Sequence, residues 1–271
     1  MSALPSAFMQ SLIDLAVVAG SEIMAIYATD FSAKAKGDLT PVTEADEAAE
    51  KIILEGLAKI GSGVPVISEE AASAIRIPEA TEKFFLVDPL DGTKEFISRN
   101  GEFTVNIALV ENGVPVAGVV HAPALKRIFW GEMGKGAAEG RIEGDVACQW
   151  RGLAVRPLPA DGAVVVASRS HLDAATEDYL KKVKVKSLCS AGSSLKFCLI
   201  AAAEADLYPR FGRTMEWDTA AGHAVLCAAG GCVLDRQGRP LRYGKPGFEN
   251  PDFVAWGDAA GAAAGAPPAQ G

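Results

Sequence analysis

The sequence is poor in the residues that build disulfide frameworks and zinc cages. It has five cysteines in 271 residues (Cys148, Cys189, Cys198, Cys227 and Cys232), and no two stand at C-x-x-C spacing. An odd count without such spacing excludes a disulfide scaffold and reads as reduced thiols, mostly small apolar core residues of a cytoplasmic protein. There are three histidines, His121, His171 and His223, and none is spaced as a zinc partner or carries a clear role. Positive charge is also short: 26 Lys and Arg against 34 Asp and Glu leave a net charge of −8. Such a chain has no general attraction for a nucleic-acid backbone, so no nucleic-acid partner is expected. No basic segment precedes an apolar one at the start, so no signal peptide is read. No apolar run reaches the roughly 18–20 residues of a membrane span, and the apolar stretch from Leu195 to Leu207 is broken by Lys196 and Glu204. G-x-S-x-G and C-x₅-R are missing, which removes the usual signs of a covalent phosphoenzyme route.

What is present is an ordinary globular composition, 49% apolar and 22% charged, in a chain long enough for one large domain or two closely packed subdomains. Apolar residues from Met9 to Tyr27 recur at spacings of three and four, predicting an amphipathic first helix. Lys36-Gly37-Asp38 reads as a turn. Thr43 reads as an N-cap with Asp46 three residues on, a shortened capping box. Short apolar strands at Val64–Ser68 and Phe84–Val87 end at Glu69-Glu70 and at Asp88-Pro89. Asn112-Gly113 between two β-rich runs signals a hairpin, Arg127–Trp130 adds a strand, and Gly131–Gly136 reads as a turn. The first half therefore predicts helices on a largely antiparallel sheet. From about residue 153 strands and helices alternate, ending in a final strand at Gly231–Asp235, which predicts a second α/β unit. The weakly patterned stretch Gly140–Gly152 is the expected boundary: residues 1–150 form one subdomain and 151–258 the other. The Ala/Gly/Pro/Gln tail 259–271 is expected to be disordered.

Chemistry concentrates in Asp88-Pro89-Leu90-Asp91-Gly92-Thr93. Two carboxylates stand three residues apart after an apolar strand. Pro89 holds Asp88 extended, and Gly92 permits a close backbone approach. Such a turn offers carboxylates, a carbonyl and a hydroxyl to one cavity, the oxygen set that a hard divalent cation prefers. Crowded carboxylates raise one another's pKa, and a dication relieves that repulsion. Read alone, the same run is also an ordinary solvated turn, Glu69 a surface-loop acid and Asp218 a helix N-cap.

Three separated blocks carry a resemblance: Thr40–Asp46, Ser68-Glu69-Glu70 with Asp88–Thr93, and Trp217–Gly222. In order and spacing they resemble the inositol monophosphatase superfamily of Mg²⁺-dependent, Li⁺-sensitive phosphatases, over roughly residues 10–255. Asp91–Phe96, Arg99–Ala108, Gly192–Cys198 and Tyr208–Gly212 are most similar to its bacterial CysQ branch, the 3′(2′),5′-bisphosphate nucleotidases. Lys94-Glu95 stands where inositol phosphatases have Thr-Asn.

The resemblance implies an α/β chain, α+β in its N-terminal half and α/β in its C-terminal half, layered as an αβαβα sandwich of the sugar-phosphatase type. It implies two Mg²⁺ ions, with a third left open. Glu69, Asp88 and the Leu90 carbonyl would hold the first, and Asp88, Asp91 and Asp218 the second. Thr93, oriented by Asp46, would act with Glu69 on the attacking water, and the Gly92 and Thr93 amides would cradle the phosphate. Glu69, Leu90, Asp91, Ser193 and Asp218 complete the implied substrate contacts. Lys94, Lys196 and Arg210 are candidates for a second phosphate, since a guanidinium fits phosphate oxygens in a bidentate way. Phe96, Phe211 and Trp217 read either as adenine-stacking rings or as core. The expected reaction is hydrolysis of the 3′-phosphate of adenosine 3′,5′-bisphosphate, or of its sulfated relative, to a 5′-nucleotide and phosphate. Two alternatives stay open, an inositol- or sugar-phosphate phosphatase and a metal-dependent nucleotide-binding regulator. Dimerisation and peripheral contact with the inner membrane are also left open.

Overall fold

The computed structural model describes residues 4–31, 33–35, 41–73, 81–167 and 174–258. The expected turn at Lys36–Asp38, His171 and the expected disordered tail lie outside them. The first helical periodicity folds as α1 (Ala7–Tyr27), capped by Ser6, whose Oγ accepts from the Met9 N–H at 3.1 Å. By length and composition α1 is long and apolar enough to cross a membrane, which the sequence reading did not anticipate. Half of its most apolar stretch is buried inside the protein, as in a core helix. A ribbon of β1 (Ala33–Ala35) and β2 (Pro41–Thr43) leads into α2 (Glu44–Ile60). Here the Thr43 cap is reciprocal: its Oγ1 accepts from the Ala45 N–H at 3.2 Å, and the Asp46 carboxylate accepts from the Thr43 N–H at 2.8 Å.

The chain then lays down β3 (Val66–Ser68), α3 (Glu69–Ser73), β4 (Lys83–Asp91), α4 (Thr93–Ile97), β5 (Thr104–Glu111), β6 (Val114–Ala122), β7 (Arg127–Glu132), β8 (Gly136–Glu143) and β9 (Val146–Leu153). Among the described residues these strands form one seven-stranded sheet in sequence order, parallel between β3 and β4 and antiparallel elsewhere. Asn112 and Gly113 both take positive φ, 51° and 73°, as a two-residue hairpin demands. Two expectations change. Gly131 lies inside β7, and the turn is Met133–Lys135. The stretch 140–152, read as weakly structured, belongs to the β8–β9 hairpin. Its polar, glycine-bearing sequence hides the alternation because β9 is an edge strand with much of its surface in water.

The second half contributes β10 (Ala163–Ala167), α5 (Ala174–Leu180), β11 (Val185–Ser190), α6 (Leu195–Ala201), β12 (Leu207–Arg210), α7 (Ala220–Ala228), β13 (Cys232–Asp235) and β14 (Phe253–Trp256). Its sheet runs β11-β10-β12-β14-β13. The strand at Gly231–Asp235 is therefore not the last: β14, unpredicted, inserts between β12 and β13 and runs antiparallel to both. Four apolar residues without a flanking periodic segment are too short a signal to separate strand from loop.

Alternation along the strands divides the core. Phe85 and Val87 of β4 with Val105, Ile107 and Leu109 of β5 pack under α1 and α2. Phe84 and Leu86 with Ala108 and Val110 face the other way, onto α6, α7 and the second sheet. A third cluster joins Tyr179 of α5 to Val165 and Leu207 on the outer face of the second sheet. The layers thus run α, β, α, β, α, as the resemblance implied. α7 lies directly on the large sheet: a Cβ at Gly118 would come 2.6 Å from Ala221 O, and one at Gly131 would come 2.5 Å from Val225 Cα. Each fully buried Phe, Leu or Ile side chain here contributes about 1.5–3 kcal/mol.

Candidate active site

β4 does not stop at Val87. It continues through Pro89, with a register shift between Asp88 and Asp91, and re-pairs at Asp91 with Thr104. The expected turn is thus an irregularity inside a strand, which points acids into the site without ending the sheet. Asp88 is 2% exposed, and its Oδ1 accepts from the Leu90 N–H at 3.1 Å. Gly92 follows at φ 95°, the left-handed conformation glycine adopts without strain, and opens α4.

Carboxylates from three other places join Asp88 and Asp91 around this irregularity. Asp46 lies in the first turn of α2 and is 1% exposed. Its Oδ2 accepts from Thr43 Oγ1 at 2.7 Å, and its Oδ1 from Thr93 Oγ1 at 3.3 Å. One side chain therefore serves both the helix cap and the threonine. Thr93 Oγ1 also lies 3.4 Å from Leu90 O. Glu69, half-buried, opens α3 directly after β3. Asp91 Oδ2 accepts from the Ser194 N–H at 2.7 Å and from Asn106 Nδ2 at 3.2 Å. Asp218 Oδ2 accepts from the Met215 N–H at 2.8 Å, and its carbonyl accepts from Ser194 Oγ at 2.6 Å.

Their mutual repulsion registers in their acidity. Burial, then Glu69, Asp91, Asp218 and Asp46, lift Asp88 well above the usual carboxylate range. Burial pushes Asp91 up to about 6, with Lys196, Asn106 and Ser194 opposing and Glu69 adding. Asp218 is raised by burial, then by Asp91 and Glu69, against the Met215 N–H and Arg210. Among the described residues no three acidic, thiol or imidazole side chains close into a ready-made metal cage. Several of these carboxylates instead turn an oxygen toward backbone and side-chain donors. Acidic oxygens nevertheless outnumber nearby cations, and the donor set is the one a Mg²⁺ ion accepts, so the residues fit such an ion.

Positive charge comes from Lys94 in α4 and, for the larger part, from the second half. Lys196 in α6 is 5% exposed and donates to Ser193 O at 2.7 Å and Ala191 O at 3.2 Å, with its ammonium 5.3 Å from the centre of the Tyr208 ring. Burial pulls its pKa down to about 8, with Asp91 opposing. Arg210 at the end of β12 donates to Arg213 O at 3.0 Å, while its buried Nε has no partner among the described residues. Ser193, at φ 51°, places its hydroxyl between Asp91 O (2.7 Å) and Glu102 O (2.9 Å), which share its one proton, joining the halves. These residues line a cavity of about 140 Å³ with Gly92, Lys94, Tyr208, Thr214 and Asp218. A larger depression of about 470 Å³ lies on β7–β9 and is lined by the Arg127–Glu139 and Arg127–Glu204 ion pairs, apart from these acids.

The aromatic alternatives resolve toward packing. Phe96 is fully buried against Tyr27, Phe31 and Phe103, Phe211 packs on Tyr179, and Trp217 packs beside Phe248. His121 hydrogen-bonds Ala16 O through Nδ1 (2.9 Å). Tyr243 gives its proton to Thr219 Oγ1 (3.2 Å), so His223 Nδ1, 2.9 Å from that hydroxyl, is the donor to it. Of the five thiols only Cys198 is buried, and Cys227 is exposed, so the expectation of mostly core cysteines is corrected. Sequence reasoning gave no role to Asn106, Ser194 or Tyr208. Nothing in local pattern announces a serine whose amide and hydroxyl tie two distant acidic segments together.

The chain matches the Inositol monophosphatase family over residues 5–265. It belongs to that family, and it is a phosphatase. It is 48% identical over 248 residues to the 3′(2′),5′-bisphosphate nucleotidase CysQ of Salmonella typhimurium, covering 90% of this chain and 98% of the relative. The protein of the same name from Escherichia coli K12 is 47% identical over 242 residues, covering 88% and 95%. Among solved structures, CysQ from Bacteroides thetaiotaomicron superposes with a TM-score of 0.76 at 40% identity, covering 92% of this chain and 96% of that one.

Proposed function

We propose that this chain hydrolyses the 3′-phosphate of adenosine 3′,5′-bisphosphate, or of its sulfated relative, in the cytoplasm. Glu69, Asp88, the Leu90 carbonyl, Asp91 and Asp218 would hold divalent cations, Mg²⁺ foremost. The observation that carries the reading is one cavity with an acidic wall at Asp91 and Asp218 and a cationic wall at Lys196 and Arg210. A substrate with two separated phosphates suits that polarity, one for each end. The relatives named as bisphosphate nucleotidases support it at 47–48% identity over nearly their full length.

When bound, a divalent cation offsets phosphate charge and acidifies water. The chain's own residues do the rest. Thr93 Oγ1, donating to Asp46, turns a lone pair outward to accept a proton from the attacking water, and Asp46 holds the proton that Thr93 gives up. Gly92 and Thr93 amides orient the phosphate, and Arg210, with its unpartnered Nε, grips the remote phosphate. Lys196 is already committed to two carbonyls, so its part is to hold the Ser193 turn and to supply charge.

A divalent-dependent phosphate-release panel tests the proposal, with adenosine 3′,5′-bisphosphate against myo-inositol 1-phosphate and fructose 1,6-bisphosphate, and Li⁺ as inhibitor. The nucleotide is expected to lead in kcat/KM, and chelation to stop turnover. Equal or better turnover of either sugar phosphate sinks the substrate assignment. Arg210→Ala is expected to raise KM for the bisphosphate about tenfold or more while leaving KM for 3′-AMP nearly unchanged.

A further inference from the structure

Residues 214–219 carry Asp218 but precede α7 as irregular backbone, with Met215 making a single bridge to Glu249. Without a ladder, its polar groups need partners from elsewhere. A second segment, 243–250, irregular but for a single 3₁₀ turn at Pro246–Phe248, provides them. Asn250 donates its N–H to Thr214 O (2.9 Å) and its Nδ2 to Met215 O (2.8 Å) and Thr219 Oγ1 (3.0 Å). The Glu216 N–H donates to Phe248 O (2.8 Å). In return the Glu216 carboxylate, 0% exposed, accepts from the Gly244 N–H (2.6 Å), the Lys245 N–H (3.0 Å) and the Lys245 ammonium (2.6 Å). Lys245 Nζ also reaches Asn250 Oδ1 at 3.3 Å.

We propose that Glu216, Lys245 and Asn250 form a clasp that positions Asp218 for divalent-cation binding. Glu216 is a positioning residue and touches neither metal nor substrate. The link is the Met215 backbone: its carbonyl accepts from Asn250, and its N–H donates to Asp218 Oδ2. A shift of the 243–250 segment therefore moves the acceptor oxygen itself. Lys245 neutralises Glu216, so the clasp fastens the segment without adding net negative charge to an acid-rich site. The inference rests on the reading of Asp218 as a metal ligand.

Mn²⁺ binding to the folded proteins, read by electron paramagnetic resonance beside a circular-dichroism melt, tests it. Glu216→Gln and Lys245→Met are each expected to weaken Mn²⁺ about ten- to a hundredfold, as loss of partners behind a ligand does. Saturating metal should restore most of kcat, and Lys245→Arg should keep near-native affinity. Lys245 is 29% exposed, so Lys245→Met decides the matter if Glu216→Gln fails to fold. Native Mn²⁺ affinity in a folded Lys245→Met or Glu216→Gln, beside a weakened Asp218→Asn, overturns the clasp alone. Native affinity in Asp218→Asn overturns the metal reading and the clasp with it.

Discussion

The two halves of the site deliver charge by different means. The first half places Asp46 in the first turn of α2, Glu69 at the start of α3, and Asp88 and Asp91 on either side of the break in β4, a strand paired before and after it. The second half sets its site groups at the edges of irregular backbone. Ser193 at φ 51° lies between β11 and α6, and Asp218 stands in the segment before α7 that Asn250 and Glu216 bind to its neighbour. Four of the five repelling acids are thus mounted on the first half, and Asp218 alone stands on the other. The other half is assembled by hydrogen bonds between segments distant in sequence, and its alignment is correspondingly easier to lose.

That contrast is open to attack. Asp88→Asn is the harshest blow to the first half. Activity is expected to fall at least a hundredfold, while the metal-free melting temperature rises, because a buried and repelled carboxylate has gone. A variant that lost activity and stability together would show that the acids hold the fold rather than strain it. Gly92→Ala strikes the seam. A Cβ there falls on Ser193 Oγ and 3.3 Å from Glu102 O, at a φ of 95°. The expected cost is about 1–3 kcal/mol in urea unfolding, with kcat reduced about tenfold or more by displaced groups.

The remaining test concerns pH. Burial depresses His121 to about 4 and His223 to about 3, from 6.5. Below pH 6.5 the unfolded chain takes up these protons and the folded chain does not, so this contribution falls on acidification, by about 2 kcal/mol for each histidine between pH 7 and 5. Asp91, raised from 3.8 to about 6, acts oppositely without divalent cation: the folded chain binds its proton first, and stability rises as pH falls through 6. Urea midpoints should therefore fall from pH 7 to 5 in both conditions, by less in chelator than in saturating Mg²⁺. An equal pH slope in both conditions would contradict the strain assigned to the acidic half.

Much of the first half was legible beforehand, because local pattern encodes it. Thr43 and Asp46 form the capping box, Asn112-Gly113 makes the hairpin, and the strand before Asp88 is an apolar run. What escaped depended on partners far along the chain. β9 is a strand because β8 lies beside it, although its own residues are polar. β14 is inserted between β12 and β13, where its hydrogen bonds are satisfied, and no periodicity of four residues foretells that. Ser194 holds both Asp91 and the Asp218 carbonyl across intervals of 103 and 24 residues.

Residue chemistry and spacing alone determined the two long N-terminal helices, the hairpin and which acids were candidates, since caps, φ preferences and alternation act within a few residues. Only the tertiary structure decided where those acids meet, how far they repel and what holds Asp218 in place. Burial, like-charge repulsion and pairing of irregular backbone arise between segments that no local pattern relates.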